Sequence, residues 1–306
     1  MEHYLIKETL IPCSFEQLLE HKFQSVSVMT PAEYMTVSDR FSMNIDMDLD
    51  LKNVAYTKAV VNYDALTGTL NIPDHIHFSD DKFQMVFVLD ETGIIFIDED
   101  SYASDVVHEI MIKRKWKFPS LERFIYDFLE ETIKYDIDLL AKLESDLSEI
   151  EDGIMKGNIA AYPMQLNDIR YELMDMHTHY EHLIDMSKEF EENENDFFDE
   201  ENLRYFRLFA ERVMRLQDTV DQEKDYIVQL RSLVSEQLSI RQNNIMTLLT
   251  VITTIFMPLT LIVGWYGMNF VYMPELKWVY GYPAVIIVSV LIIVISLIWF
   301  KKKKWL

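Results

Sequence analysis

Tyr266-Gly267-Met268-Asn269-Phe270, followed closely by Met273-Pro274-Glu275-Leu276, joins the only two segments of this chain that are long and apolar enough to cross a membrane. The first runs from about Ile245 to Tyr266 and the second from about Val279 to Phe300, and neither holds a charged residue. A run of 22 residues spans ~33 Å as a helix, matching a hydrocarbon core of about 30 Å. A buried core helix rarely stays uncharged for that length. Basic residues set the expected orientation. Arg241 precedes the first span, Lys301 to Lys304 follow the second, and the 267–278 loop carries only Glu275 and Lys277. Basic residues favour the cytoplasmic side, so both chain ends are expected inside and the loop outside, in the cell membrane. Trp265, Tyr266, Trp278, Tyr280 and Tyr282 lie at the outer ends, and Trp299 and Trp305 at the inner end, where aromatic belts form.

Charge is unevenly distributed. Of the net −23, residues 241–306 contribute +5, which leaves −28 on residues 1–240. A portion this acidic repels nucleic acid and attracts cations through its summed field; the plainer reading of most single acids is solubility. Cys13 is the only cysteine, so no intrachain disulfide forms, as suits a cytosolic domain. Met1-Glu2-His3-Tyr4 does not start a signal peptide pattern.

Residues 1–115 read as a cytosolic α/β domain. Ser42 to Leu51 alternates apolar and polar residues like a half-buried strand, whose Asp46, Asp48 and Asp50 lack the glycine of a calcium loop. Gln84–Leu89 and Ile94–Ile97 flank Asp90-Glu91-Thr92-Gly93 as a β-hairpin. Residues 116–200 read as a helical hairpin. Leu121 through Ile150 keep three-four spacing for about eight turns until Gly153 and Gly157, and a second helix covers about Pro163 to Phe190. His179 and His182 share a face of that helix, as a metal ligand pair or as ordinary polar surface. Glu189 to Glu201 reads as a solvated, mobile turn. From about Glu200 a helix pattern runs without Gly or Pro to Pro258, so residues 201–266 form a stalk continuing into the first span (about 245–266). Its seam, Leu203 to Leu238, needs partner helices, most simply copies of itself. Residues 267–278 form the outer loop, and 279–306 the second span and basic tail.

Asn243, Met246, Thr250, Thr253, Met257, Thr260 and Gly264 recur at spacings of three and four, placing an amide, three hydroxyls, two thioethers and a glycine on one stripe. The second span offers only Ser289 and Ser296. Such a stripe either lines a conduit or glues helices together without a pore. A conduit without carboxylates suits an ion that keeps its water: amide and carbonyl oxygens accept hydrogen bonds from a hydrated Mg²⁺, which dehydrates reluctantly. Met246, Leu249 and Met257 supply apolar constrictions that close by dewetting.

The run from Tyr266 to Leu276 resembles the signature loop of the CorA-type magnesium channel family, marked by Gly-Met-Asn between two C-terminal spans and often by Met-Pro-Glu-Leu after it. Ile255-Phe256-Met257-Pro258-Leu259-Thr260 and the terminal Lys-rich tail also match, so the close resemblance covers about residues 241–306. It implies a funnel-shaped homopentamer: a cytosolic α/β domain plus a long helical stalk continuing into a two-helix transmembrane domain. It implies Gly267, Met268 and Asn269 as the hydrated-ion filter, with Glu275 in the outer loop. Asn243, Met246, Leu249, Met257, Thr260 and Gly264 fall on the family's pore positions. The implied function is passive Mg²⁺ flow, with Co²⁺ or Ni²⁺ also passing and cytosolic Mg²⁺ closing the pore by bridging carboxylates between subunits. Members often carry Asp after Tyr-Phe-Arg on the stalk; here Tyr205-Phe206-Arg207 precedes Leu208, leaving Glu211 as a substitute ligand. Rival readings are a Zn²⁺ transporter of the same superfamily and a non-conducting membrane scaffold or sensor. Divalent ions, lipid and copies of the chain are the expected partners, with no organic cofactor. No nucleotide loop, nucleophile elbow or zinc-hydrolase motif points to an enzyme.

Overall fold

A computed structural model of the chain describes residues 1–20, 23–41, 56–73, 82–159, 161–271, 273–303 and 305. The strand expected at Ser42–Leu51, with Asp46, Asp48 and Asp50, lies outside the described residues. Two compact units emerge, one of residues 1–152 and 160–230, the other of 153–159 and 231–306.

In the first unit, β1 (Glu2–Ile6), β2 (Leu10–Pro12), α1 (Phe15–Glu20), β3 (Ser25–Met29), α2 (Pro31–Val37), β4 (Lys58–Val61), β5 (Leu66–Pro73), β6 (Lys82–Asp90), β7 (Gly93–Asp98) and α3 (Tyr102–Lys113) make the α/β part. The sheet runs β2-β1-β3-β7-β6-β5-β4. Among the described residues only β3 and β7 pair in parallel. The expected hairpin is β6–β7, with Asp90 opposite Gly93. Asp90 Oδ1 closes its turn by accepting from the amides of Thr92 at 2.7 Å and Gly93 at 3.1 Å. β5 is buried along its whole length. Gly68 in β5 is required by close approach, since a Cβ there would stand 2.4 Å from the Lys58 carbonyl oxygen across the strand pair.

Four more helices follow: α4 (Leu121–Thr132), α5 (Asp136–Met155), α6 (Tyr162–Glu192) and α7 (Arg204–Tyr266). The single eight-turn helix predicted through Leu121–Ile150 is therefore two. Thr132 Oγ1 donates to the Leu129 carbonyl at 2.7 Å, and the Asp136 amide turns back to Ile133 O at 3.2 Å, so the regular ladder is interrupted. The break has a packing reason. Phe128 of α4 stacks on Phe96 of β7 with ring centroids 4.3 Å apart, while Asp136 at the start of α5 accepts a 2.9 Å hydrogen bond from Tyr180 of α6.

The acidic turn also departs from expectation. It is pinned: Asn193 adopts φ 51° and its side chain bonds both backbone groups of Phe198. The Phe198 ring is buried against Phe190 and Phe206. α7 likewise finds its partners inside the chain. Phe206, Ala210, Val213, Leu216, Val220, Ile227 and Leu230 are buried. Ser187 of α6 donates to Phe206 O at 2.7 Å, and Tyr226 donates to Glu151 of α5. Copies of the chain are not needed to cover the seam up to Leu230; beyond it, Leu238 is exposed.

Candidate functional site

In the second unit, the end of α7 and α8 (Gly281–Lys302) are the two helices long and apolar enough to cross a membrane, and only 6% of each apolar window is buried. That exposure separates them from core helices. Near the loop the two lie side by side, because Ile262 and Tyr266 of α7 and Ala284, Val285 and Val288 of α8 line one cavity of about 680 Å³. The covered strip of α7 is Thr247, Val251, Ile255, Pro258, Leu259 and Ile262. On α8 it is Ala284, Val285, Ser289, Ile292, Ile293, Ser296 and Phe300, so both serines of the second span turn inward on this strip.

The polar stripe takes the other side of α7. Asn243, Met246, Leu249, Thr250, Thr253, Met257, Thr260 and Gly264 are all exposed. At about 100° per residue they lie roughly opposite the covered strip. A shallow groove of about 720 Å³ runs along this face from Thr253 to Met268. Each stripe hydroxyl donates to its own helix: Thr250 to Met246 O at 2.8 Å, Thr253 to Leu249 O at 2.9 Å, and Thr260 to Phe256 O at 2.9 Å. With the proton spent on the backbone, each hydroxyl oxygen keeps its lone pairs as an outward acceptor. The stripe thus presents acceptors and no charge. A Cβ added at Gly264 would meet nothing within 4 Å in this chain.

At the helix end the Gly267 amide donates to Val263 O at 2.9 Å, and a Cβ on Gly267 would sit 2.8 Å from that same oxygen. Glycine is needed there to let the chain leave the helix tightly. Gly267, Met268 and Asn269 are exposed just beyond the C-terminal end of α7, where the helix dipole is negative. Glu275 falls in a single 3-10 turn, Pro274–Lys277; its side chain lies outside the described residues. At the other end of α8, Phe300 is buried, Trp305 stacks on it, and Lys303 lies 4.7 Å from the Trp299 ring centroid. Such a basic and aromatic cluster suits a membrane interface.

Of the remaining sequence candidates, His179 is buried beside Tyr180, whereas the His182 ring lies 5.5 Å from Tyr56. Among the described residues no group of three or more His, Cys, Asp or Glu side chains is placed to hold a metal. Leu208 and Glu211 are both exposed on α7 in the first unit. Sequence reading missed the ties Tyr180–Asp136 and Tyr226–Glu151, since a tyrosine on an apolar helix face looks like core until its hydroxyl partner is known.

The description "CorA-like Mg2+ transporter protein" matches residues 26–302. The chain is 31% identical over 182 residues to the cobalt/magnesium transport protein CorA of Thermotoga maritima, an alignment covering 60% of this chain and 52% of that one. It thus spans about half the length of that relative. To the YfjQ protein of Bacillus subtilis it is 31% identical over 229 residues, 74% of this chain and 69% of the other. The fold is that of the complete CorA magnesium transporter from Methanocaldococcus jannaschii, with a TM-score of 0.80 at 19% identity over 100% of this chain and 98% of that one. With a soluble α/β part, one long helix and two apolar C-terminal helices in that order, the chain belongs to the CorA-like Mg²⁺ transporter family, a family of ion transporters and not of enzymes.

Proposed function

We propose that this chain conducts hydrated Mg²⁺, and with it Co²⁺ or Ni²⁺, passively across the cell membrane as a homopentamer whose pore is lined by α7. The observation that carries the reading is the exposed, uncharged acceptor stripe on the side of α7 away from α8. α8 covers one side of α7, so copies of the chain meet through the other, and the stripe becomes the wall of a conduit. Gly264 supports this: nothing in its own chain occupies the space its missing side chain leaves, as a close approach between copies requires.

The stripe suits a hydrated ion. Rings of threonine oxygens and the Asn243 amide accept hydrogen bonds from bound water and leave the inner hydration shell in place, which Mg²⁺ surrenders reluctantly. Met246, Leu249 and Met257 narrow the path with apolar groups that dewet on closing. Gly267, Met268 and Asn269 form the outer filter, where the Asn269 carbonyl oxygen accepts from the ion's water and the negative end of the α7 dipole attracts the cation. Glu275 adds negative charge to the outer mouth. Both chain ends lie in the cytoplasm, and cytosolic Mg²⁺ favours the closed state. The Thermotoga relative's name joins cobalt and magnesium, which agrees with this ion range.

Proteoliposome flux tests the proposal. Mg²⁺ entry that ignores a pH gradient and vanishes in Asn269→Ala, with assembly intact, is the expected result. Zn²⁺ entry that requires the gradient would move the chain to a zinc transporter. An absence of flux from assembled protein would make it a scaffold.

A further inference from the structure

Four basic side chains gather on one cavity of the first unit. Arg114 just beyond α3, Arg123 on α4, Lys134 just after α4 and Arg212 on α7 all line a pocket of about 420 Å³. Three carboxylates lie among them, and each is already held. Asp127 accepts from Arg123 Nε and Nη2 at 3.2 and 3.1 Å and from the Trp116 indole at 2.7 Å. Glu131 accepts from Lys134 at 2.7 Å and from Arg114 Nη2 at 3.4 Å, and Glu130 from Arg212 Nη1. These three acids are at most 10% exposed, whereas Arg212 keeps 45% of its side chain open and Arg114 39%. The acids thus form the floor of the cavity and the cations its open surface.

A network of ions with a purely structural role closes on itself. This one does not. Arg114 Nε stands 3.8 Å from Asp127 Oδ1, beyond hydrogen-bond reach, and is buried without a hydrogen-bond partner among the described residues. Arg212 commits a single N–H to Glu130, so most of its fork is unspent among the described residues. The guanidinium carbon of Arg123 lies 5.0 Å from the Tyr126 ring centroid and 5.2 Å from that of Tyr205, which fixes the plane of its fork. Four cations against three carboxylates leave +1 at the cavity, within residues 1–240 that carry −28. We propose that this cavity binds a phosphate group, free or as a phosphomonoester, whose oxygens accept from the unspent N–H groups of Arg114, Arg123 and Arg212. Guanidinium forks match phosphate oxygens in pairs, and about 420 Å³ is within the range of small-ligand sites. Bound there, the anion joins α4 to the stalk helix through Arg123 and Arg212. The site is independent of which cation the chain conducts.

Calorimetric titration of the full chain in detergent with sodium phosphate, free of divalent ions and against sodium chloride of equal ionic strength, tests it. Saturable binding that chloride does not reproduce is expected. Arg114→Gln leaves Asp127 and Glu131 their other bases, and Arg212→Gln combined with Glu130→Gln removes an ion pair without stranding a charge. Both variants should melt near wild type in chloride, which shows that they fold. Both should bind phosphate about tenfold more weakly, the worth of one charge-assisted hydrogen bond. AMP as a second titrant separates the two sources. Tighter binding than phosphate assigns a phosphomonoester, and equal or weaker binding assigns the free ion. Heat no greater than that of chloride, or wild-type affinity in both variants, overturns the proposal. If phosphate is ignored and the double variant loses its oligomeric state, the cavity takes a neighbouring copy's carboxylate instead.

Discussion

Gly267 carries two demands at once, because its amide closes the helix end on Val263 O and its missing side chain leaves that oxygen room. Gly267→Ala should push the Gly-Met-Asn loop off the helix end and, on the proposed reading, abolish Mg²⁺ flux while assembly persists, as flux and size-exclusion on the same preparation would record. Met257 is 72% exposed in the chain, so Met257→Asp costs little in the subunit's own packing and, on the proposed reading, acts on the pathway. A carboxylate there should wet the constriction and change gating or ion preference; flux indistinguishable from wild type would remove Met257 from the pathway. Glu223 yields a pH prediction with a definite sign. Burial holds its folded pKa above its ordinary value of 4.5, so the folded state binds the proton more tightly than the unfolded chain. The stabilisation is fully present below pH 4.5 and is lost as pH rises through the folded value. In chelator, the melting temperature should fall across that window in wild type, and Glu223→Gln should flatten the fall. Much at this scale was legible in the sequence. The spacing of the threonines and methionines fixes one face of any helix, and the structure exposes that face. The backbone use of the hydroxyls was less legible, since only the helix geometry decides where a threonine proton goes.

Among the elements, apolar periodicity located α4 to α8 but not the break between α4 and α5. Leu121 to Ile150 keep their three-four spacing through it, because both helices bury one face and the turn at 133–135 inserts no Gly or Pro. What breaks the helix is tertiary: α4 follows the sheet through Phe128, while α5 starts where Asp136 meets Tyr180. Burial and the Asp136 charge both raise the Tyr180 pKa, so the phenol stays protonated and donates throughout the physiological range. Tyr180→Phe keeps the ring but takes a donor from a buried carboxylate, which should cost about 1–3 kcal/mol. Thermal melts in detergent would measure the loss, and an unchanged melt would show that this tie does not hold α5 on α6. The acidic turn at 193–199 teaches the converse. Its charge density suggested mobility, but one aromatic, Phe198, buried between Phe190 and Phe206, fixes it while the acids stay outside.

For the whole molecule, charge and apolarity are segregated along the chain, and this makes the topology testable. The proposed inside placement of the stalk and tail rests on Arg241 and Lys301 to Lys304, against Glu275 and Lys277 in the connecting loop. The positive-inside bias counts residues near span ends, so the basic tail outweighs the single loop lysine, and the −28 of residues 1–240 has little say, since acids contribute weakly to orientation. Cys13 offers a single native thiol, partly buried, with burial holding its pKa above the ordinary value and slowing its reaction. Replacing it by serine and placing one cysteine at Phe270, which is 64% exposed beside Asn269, gives a reporter for the loop. Intact, right-side-out cells should let an impermeant maleimide label Phe270→Cys at once. A cysteine at exposed Lys303 should react only after the membrane is opened or inverted. The opposite pattern would put the Gly-Met-Asn loop on the cytoplasmic side, and the outer filter would then have to be abandoned even if Asn269→Ala stopped the flux.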